Sequence, residues 1–264
     1  MWKATEAERE RFDRLAEREA GKALEAIYGA ALTAFAEAET VLGTVEQARR
    51  SATDAIKAAA PSVFRRMLEA IYEATLPAFA AREYDDVLRQ GKAADKLYTF
   101  KASGADLNDF WLEVALRFAG EEADDLIAGM TAESVRVVRA QIAAGIEAGE
   151  GIEVIRRRLT ERLPELSTTR ARTIARTEVL RISNYATMEG MRKVAEDTGL
   201  ELVKEWISSR DARVRPDHAS SDGQVVPMEG LFSVGGHSAQ YPGDPRLPAS
   251  QSINCRCTHS ALVQ

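Results

Sequence analysis

The residues best suited to chemistry lie near the end of the chain. Cys255 and Cys257 are separated by one residue, and His218 precedes them in the same loop-rich segment. Thiolate and imidazole are ligands that Zn²⁺ prefers, and a closed structural zinc site takes four of them. The three residues are therefore candidate zinc ligands, with His237 or His259 as a candidate fourth.

Other interpretations of the same residues stay open. The spacing differs from that of a zinc ribbon, which has two C-x-x-C pairs. A buried cysteine can act simply as a small hydrophobic side chain, with His218 as a hydrogen-bonded loop residue. A cysteine–histidine nucleophile would need a third group to orient the imidazole, and Asp217 or Asp222 could serve. A disulfide between Cys255 and Cys257 would close a very small, strained ring.

A second set of candidate residues lies on a helix predicted from about residue 168 to 198. Polar residues recur there at steps of three and four and so share one face, namely Arg170, Thr173, Thr177, Arg181 and Asn184. Glu178 falls on a neighbouring stripe between two isoleucines, where an isolated carboxylate would be costly. We expect a structural ion pair with a cation such as Arg181. A catalytic carboxylate is the alternative.

Charge is distributed unevenly along the chain. Residues 1–150 carry 27 acidic and 19 basic side chains, whereas residues 151–264 carry 14 and 16. Arginines concentrate between residues 156 and 181, which favours either contact with nucleic acid or a solvated helix face. The candidate DNA-binding residues are Arg156, Arg157, Arg158, Arg170, Arg172 and Arg181.

The elements that must position these residues divide the chain at about residue 150. Residues 1–150 are rich in Ala, Glu, Leu and Arg and predict long helices, with breaks near Gly43, Pro61 and Gly104 and a kink or helix end at Pro77. Residues 151–264 predict a compact α+β module. It has a short helix ending before Pro164, the long helix, a strand at 202–207, a loop at 230–250 and a final strand near 257–263. The fold class is therefore mainly α with a small C-terminal β-sheet and long loops.

Several functions are excluded or disfavoured by composition. No apolar run is long enough to span a membrane, and the first residues are too polar for a signal peptide, so we expect no membrane partner and a reducing cytoplasm. The sequence has no phosphate-binding G-x-x-x-x-G-K-[ST] loop, no dinucleotide-binding G-x-G-x-x-G motif and no H-E-x-x-H motif. No catalytic residue is therefore assigned.

The order of short blocks across residues 150–264 resembles the phage Mu F-like family of minor head proteins, which includes the SPP1-type head morphogenesis proteins. No single block is specific, but their order is. The residues that carry the resemblance and define the family motif here are Arg176, Thr177, Glu178, Asn184, Trp206, Asp211, Arg213, Asp222, Gly223, Pro242, Gly243 and Asn254, together with His218, Cys255 and Cys257.

The resemblance implies a structural minor capsid protein of a tailed phage or prophage. Such proteins lie inside the procapsid in few copies, associate with the portal and aid head assembly, and in some phages they act on DNA delivery. The expected partners are the portal protein, capsid or scaffold proteins, and double-stranded DNA. The expected location is the virion interior, with the host cytoplasm during assembly. Residues 1–150 would form the portal- or capsid-docking region.

An enzymatic function is the main alternative. A nucleotidyl- or ADP-ribosyl-transferring domain could use Glu178 with Arg176, although no phosphate-binding cradle is visible in the sequence. A DNA-binding protein without sequence specificity is a further alternative.

Overall fold

The computed structural model describes residues 2–42, 44–94, 103–121 and 123–264. Five long helices account for most of the chain up to residue 198. They are α1 (Trp2–Leu42), α2 (Val45–Ala93), α3 (Asn108–Glu121), α4 (Ala123–Glu147) and α5 (Ile152–Thr198), with a 3₁₀ turn at Gly104–Leu107 before α3. None of the described helices has an apolar stretch long enough to cross a lipid bilayer.

The helices run through the prolines at which breaks or helix ends were expected, whereas the break expected near Gly104 coincides with the 3₁₀ turn before α3 and the one near Gly43 lies outside the described residues. Helix α2 continues past Pro61 and Pro77, and α5 continues past Pro164 and joins what the sequence predicted as two helices. A proline inside a helix removes one backbone hydrogen bond, a loss that packing on the flanking turns can offset. Gly199, with φ of +71°, follows α5, and its amide donates to the carbonyl of Ala195. This left-handed residue ends the helix where the sequence predicted it.

The C-terminal region folds as short strands and helices linked by loops. Its elements are β1 (Leu202–Ile207), α6 (Pro216–Ser220), β2 (Val225–Pro227), β3 (Phe232–Val234), β4 (His237–Ala239), α7 (Ala249–Ser252) and β5 (Thr258–Val263). An antiparallel sheet has β1 at its centre between β2 and β5, with Trp206 opposite His259. The segment predicted as loop contains the hairpin β3–β4, whose turn residues Gly235 and Gly236 both have positive φ.

Two compact units make up the structure. One contains residues 1–15, 71–118 and 175–264, and its core includes Phe79, Trp111 and Trp206. The other contains residues 16–70 and 119–174. Each unit draws on segments from both sides of residue 150, and the sequence-based division at that residue stays a prediction. The predicted fold class is confirmed.

Candidate functional site

Asn184 is the centre of a buried hydrogen-bond network on α5. Its Nδ2 donates to the carbonyls of Pro242 (2.7 Å) and Cys257 (3.1 Å). Its Oδ1 accepts from Arg9 Nη2 (2.7 Å) and from Thr258 Oγ1 (3.1 Å). All four possible hydrogen bonds of the amide are therefore made. One side chain thus connects α1, α5, the loop before α7 and the start of β5.

Arg9 completes this network from the N-terminal helix. Its Nε donates to Ser183 Oγ at 2.7 Å, and its Nη1 donates to the carbonyl of Cys257 at 3.3 Å. Burial lowers the pKa of Arg9 to about 10, so the side chain remains charged at neutral pH. Because the partner Asn184 lies 175 residues away in sequence, no local pattern could reveal the contact.

Glu178 forms a buried ion pair with Arg181, as the sequence spacing predicted. The other carboxylate oxygen accepts a hydrogen bond from Tyr72 Oη on α2 at 2.8 Å. Burial and the adjacent Glu178 carboxylate together raise the pKa of Tyr72 well above its usual value. Arg181 also donates from Nε to the carbonyl of Gly243 at 3.2 Å. Glu178 therefore has the contacts of a structural ion pair.

The loops that follow the hairpin depend on two residues in left-handed conformations. Gly243 has φ of +85°, and a Cβ there would lie 2.7 Å from Leu180 Cδ2. Asn254 has φ of +55°, and its amide donates to Thr177 Oγ1 at 3.2 Å. Glycine and asparagine are the residues that adopt this conformation at least cost. Both positions hold their loops against α5.

Two aspartates organise the turn after β1. Asp211 accepts hydrogen bonds from Arg256 (2.7 Å) and from the amide of Arg213 (2.8 Å), and the contact with Arg256 lowers the pKa of Asp211.

Asp222 accepts hydrogen bonds from the amide of Ser208 and from the side chain of Arg210, each at 2.8 Å. Gly223 (φ +76°) then donates its amide to the carbonyl of Trp206. Arg176 and the side chain of Arg213 are exposed.

The predicted cysteine–histidine group is assembled in the structure. His218 Nδ1 lies 3.3 Å from Cys257 Sγ and 3.5 Å from Cys255 Sγ, and all three side chains are buried. A hydrogen bond from the Cys257 thiol lowers the pKa of Cys255, and the pKa of Cys257 is raised in consequence. Among the described residues, this is the only group of three or more His, Cys, Asp or Glu side chains that lie close enough together to share a metal ion.

The two candidate fourth ligands lie outside this group. His237 is exposed on β4. His259 is buried on β5, where its ring stacks on Tyr241, and neither ring nitrogen has a hydrogen-bond partner among the described residues. Burial lowers the pKa of His259 well below its usual value, so it is a neutral core residue at physiological pH.

The arginine-rich stretch is largely engaged within the protein. Arg170 donates to Tyr28 Oη, Ser134 Oγ and the carbonyl of Met130. Exposed or half-buried ion pairs join Arg156 to Glu153, Arg158 to Glu150 and Arg172 to Glu17. Arg181 is buried on Glu178 as described above, and Arg157 is exposed. Of the six arginines predicted to contact DNA, two are therefore directed inward.

The comparisons with known proteins concern the part of the chain that contains these networks. Residues 136–260 match the family described as Phage Mu protein F like protein. This segment belongs to the phage Mu F-like family. Among its relatives, the Minor head protein GP7 of Bacillus phage SPP1 is 32% identical over 126 residues, which is 47% of this chain and 40% of that protein.

Two further relatives match this chain at similar identity. The Uncharacterized protein YqbB of Bacillus subtilis is 32% identical over 131 residues, covering 48% of this chain and 41% of that protein. The protein of Enterococcus faecalis named NAD(+)--arginine ADP-ribosyltransferase EFV is 33% identical over 133 residues, covering 50% of this chain and 26% of that protein. The chain thus matches well under half the length of each relative. No solved structure matches it.

Sequence reasoning missed three buried residues that complete the unit containing the phage Mu F-like motif. Arg9 and Tyr72 are the distant partners described above. Lys204 on β1 is fully buried, and its Nζ donates to the carbonyl of Gln240 at 2.9 Å. Burial lowers the pKa of Lys204 to about 8. A lysine next to Glu205 in a short strand is a weak sequence signal, because long side chains on strands usually reach solvent.

Proposed function

We propose that this phage head morphogenesis protein is a structural minor head component that associates with the portal inside the procapsid and aids head assembly. One observation carries the proposal. Motif residues such as Asn184 and Glu178 are buried, and their polar groups are hydrogen-bonded or ion-paired to one another or to other parts of the same chain. The similarity to a minor head protein of a tailed phage supports the same function.

The hydrogen-bond networks favour a structural role over a catalytic one, because their polar groups are already paired within the protein. The Glu178 carboxylate faces Tyr72 and Arg181, and the Asn184 amide makes four hydrogen bonds. A catalytic group must be able to reach a substrate, whereas these groups are buried against the protein's own backbone. Removing such a group leaves its partners buried and unpaired, which explains why a structural module retains them.

The acidic region 1–150 is proposed as the docking region for a portal or capsid surface. It has eight more acidic than basic side chains. Complementary charge accelerates association and selects partners, and its effect weakens as salt increases. A portal or capsid surface of opposite charge would therefore be favoured.

Contact with packaged DNA is a subsidiary part of the proposal and rests on the exposed arginines Arg156, Arg157 and Arg172. Each phosphate contact releases counterions, so binding would weaken as salt increases and would show no sequence preference. A filter-binding titration across salt concentrations tests it, comparing the wild type with a triple Arg→Gln variant at these positions. Equal binding by both proteins, or none by the wild type at low salt, would remove DNA from the partners.

An ADP-ribosyl-transferring enzyme is the second candidate, favoured only by the name of one relative, of which the match covers 26%. Glu178, the candidate catalytic carboxylate, is buried in an ion pair. We expect no transfer of label from NAD⁺ to arginine or to protein by the purified chain. Transfer that disappears in a folded Glu178→Gln variant would reverse this conclusion.

Co-expression with the portal protein of the same phage tests the proposed association. The chain should co-purify with portal rings through size-exclusion chromatography, at low salt more completely than at high salt. A charge-reduced variant in which Glu6, Glu10 and Asp54 are replaced by Gln or Asn should associate less. An Arg139→Gln variant, which removes a basic side chain and so raises the acidic excess by one, is the control and should associate at least as completely as the wild type. Complete separation of the wild-type chain from portal rings at all salt concentrations would contradict the association.

A further inference from the structure

We propose that His218, Cys255 and Cys257 bind one zinc ion that fastens α6 to the segment leading into β5. The inference goes beyond the proposed head function and is independent of it. A chain without zinc could still assemble into a phage head, and a zinc-binding chain could fail to do so.

The two nitrogen–sulfur separations match those that a tetrahedral zinc ion requires. The Nδ1 atom of His218 is 3.3 Å from Cys257 Sγ and 3.5 Å from Cys255 Sγ. All three ligand atoms lie within 4.8 Å of one another. With Zn–S near 2.3 Å and Zn–N near 2.0 Å, a tetrahedral geometry places nitrogen and sulfur about 3.5 Å apart. An ion can therefore be accommodated with little movement of the side chains.

Neighbouring residues orient the imidazole so that its lone pair faces the two sulfurs. His218 Nε2 lies 2.9 Å from Gln251 Oε1, and Gln251 Nε2 donates to Asp217 Oδ2 at 2.7 Å. Because a carboxylate only accepts hydrogen bonds, it fixes the amide with its oxygen toward the histidine. Nε2 then carries the proton, and Nδ1 is left as a metal donor. Zinc-bound histidines typically have such an acceptor on the second nitrogen.

The backbone around the two cysteines holds both sulfurs beside His218. Asn254 adopts its left-handed conformation immediately before Cys255, and β5 begins directly after Cys257. The amide of Cys257 also donates to Cys255 Sγ at 3.4 Å. An N–H donor of this kind stabilises a thiolate, the form in which cysteine binds metal.

The surroundings suit a structural ion better than a reactive thiol. The cluster lies in a core with Trp206, Phe232 and Leu247, and both cysteines are at most 3% exposed. A nucleophilic cysteine must be accessible to its substrate. The strands β2, β3 and β4 are only three residues long, and small loop-rich regions commonly gain stability from a metal ion. The described residues supply three ligands, so a water molecule would take the fourth position.

Titration of the reduced, chelator-treated full chain with Co²⁺ tests the proposal directly. Because the chain contains only two cysteines, a thiolate-to-cobalt charge-transfer band can arise only from Cys255 and Cys257. We expect this band to saturate at one Co²⁺ per chain and to disappear when one equivalent of Zn²⁺ is added. Tetrahedral visible absorption bands should accompany it. A folded wild-type protein that shows no charge-transfer band at any Co²⁺ concentration would overturn the proposal.

Variants then assign the ligands. Cys257→Ser and His218→Gln should each reduce zinc to well below one per chain, measured by mass spectrometry of the metal after dialysis. His237→Gln is the matched control, because it removes an exposed histidine of the same region and should retain one zinc. Gln251→Leu removes the imidazole's hydrogen-bond acceptor and should weaken zinc binding 10- to 100-fold.

A measurement on the wild type covers the case in which the ligand variants do not fold. Zinc should protect both thiols from a thiol reagent in the native chain, and a chelator should expose them while circular dichroism shows the helices intact. Equal thiol reactivity with and without zinc, or loss of zinc in His237→Gln alone, would contradict the assignment.

Discussion

The two halves of α5 use polar residues in opposite ways. Before residue 173, arginines such as Arg156 and Arg172 lie at the surface in ion pairs with exposed or half-buried carboxylates. After it, the polar residues Glu178, Arg181 and Asn184 are buried and bonded to distant parts of the chain. Surface ion pairs contribute little to stability, whereas breaking a buried pair is costly. We therefore expect substitutions in the first half of α5 to change stability little and substitutions of the buried polar residues in its second half to be destabilising.

The comparison also separates residues that share a helical face. Arg170 and Asn184 belong to one predicted polar face, yet they lie in different compact units, where Arg170 is half-buried and Asn184 is fully buried. The helical spacing predicted the shared face but neither the burial of these side chains nor their partners.

Replacement of Asn184 by Leu should have the largest effect. The variant has similar volume but leaves the Pro242 carbonyl and Arg9 Nη2 buried without this hydrogen-bond partner, and it removes one of the two hydrogen bonds to the Cys257 carbonyl. We expect the free energy of unfolding to fall by about 4 kcal/mol or more, since each unpaired buried group costs about 1–3 kcal/mol. Urea denaturation followed by circular dichroism measures it. If the free energy of unfolding falls by less than about 1 kcal/mol, the proposed difference between the two halves of α5 is wrong.

Replacement of Glu178 by Gln should have the next largest effect. It leaves the Arg181 cation buried without its anion, at a cost of about 3 kcal/mol. Tyr72→Phe removes only the neutral donor and should cost about 1 kcal/mol. Thermal unfolding should rank the two variants in this order. The reverse order would show that the ion pair is not the dominant contact.

The buried Glu83 should make stability depend on pH in the unit that contains the second half of α5. Glu83 on α2 accepts the amide of Ala261 at 3.1 Å, and Gly190 of α5 packs against its Cβ. Burial raises the pKa of Glu83 from 4.5 to about 7. The folded state therefore holds a proton that the unfolded state releases, so this contribution is fully present below pH 4.5 and is lost as pH rises to about 7.

The matched variant Glu83→Gln keeps the hydrogen-bond acceptor and removes the titration. It should be more stable than the wild type by up to about 3 kcal/mol above pH 7, and the difference should vanish near pH 4. Urea unfolding at several pH values measures the difference. A constant difference across this pH range would mean that Glu83 does not titrate between these values.

Arg172→Ala should have the smallest effect. Its ion pair with Glu17 is exposed, so we expect a change in unfolding free energy within about 0.5 kcal/mol. This variant serves as the surface control for Asn184→Leu on the same helix. A loss comparable to that of the Glu178 variant would remove the contrast on which the comparison rests.

Much of the site could be read from local patterns, and the rest depends on contacts between distant residues. Helical spacing gave the Glu178–Arg181 pair, and β-propensity gave the strand at 202–207. The hairpin β3–β4 was missed because its strands have three residues each, too few to show alternation. Arg9 and Tyr72 were missed because they lie 175 and 106 residues from their partners. The helix ends predicted at the prolines were wrong, because tertiary packing outweighed the local tendency of proline to interrupt a helix.

Quantitative mass spectrometry of purified procapsids tests the proposed head function most directly. A phage or induced prophage that encodes the chain would be grown with the wild-type gene, with Asn184→Leu and with the surface control Arg172→Ala. We predict the wild-type and Arg172→Ala chains in purified procapsids at a few copies relative to the portal, and depletion of the Asn184→Leu chain. Procapsids of normal yield and composition that contain none of the wild-type chain would contradict the proposed function.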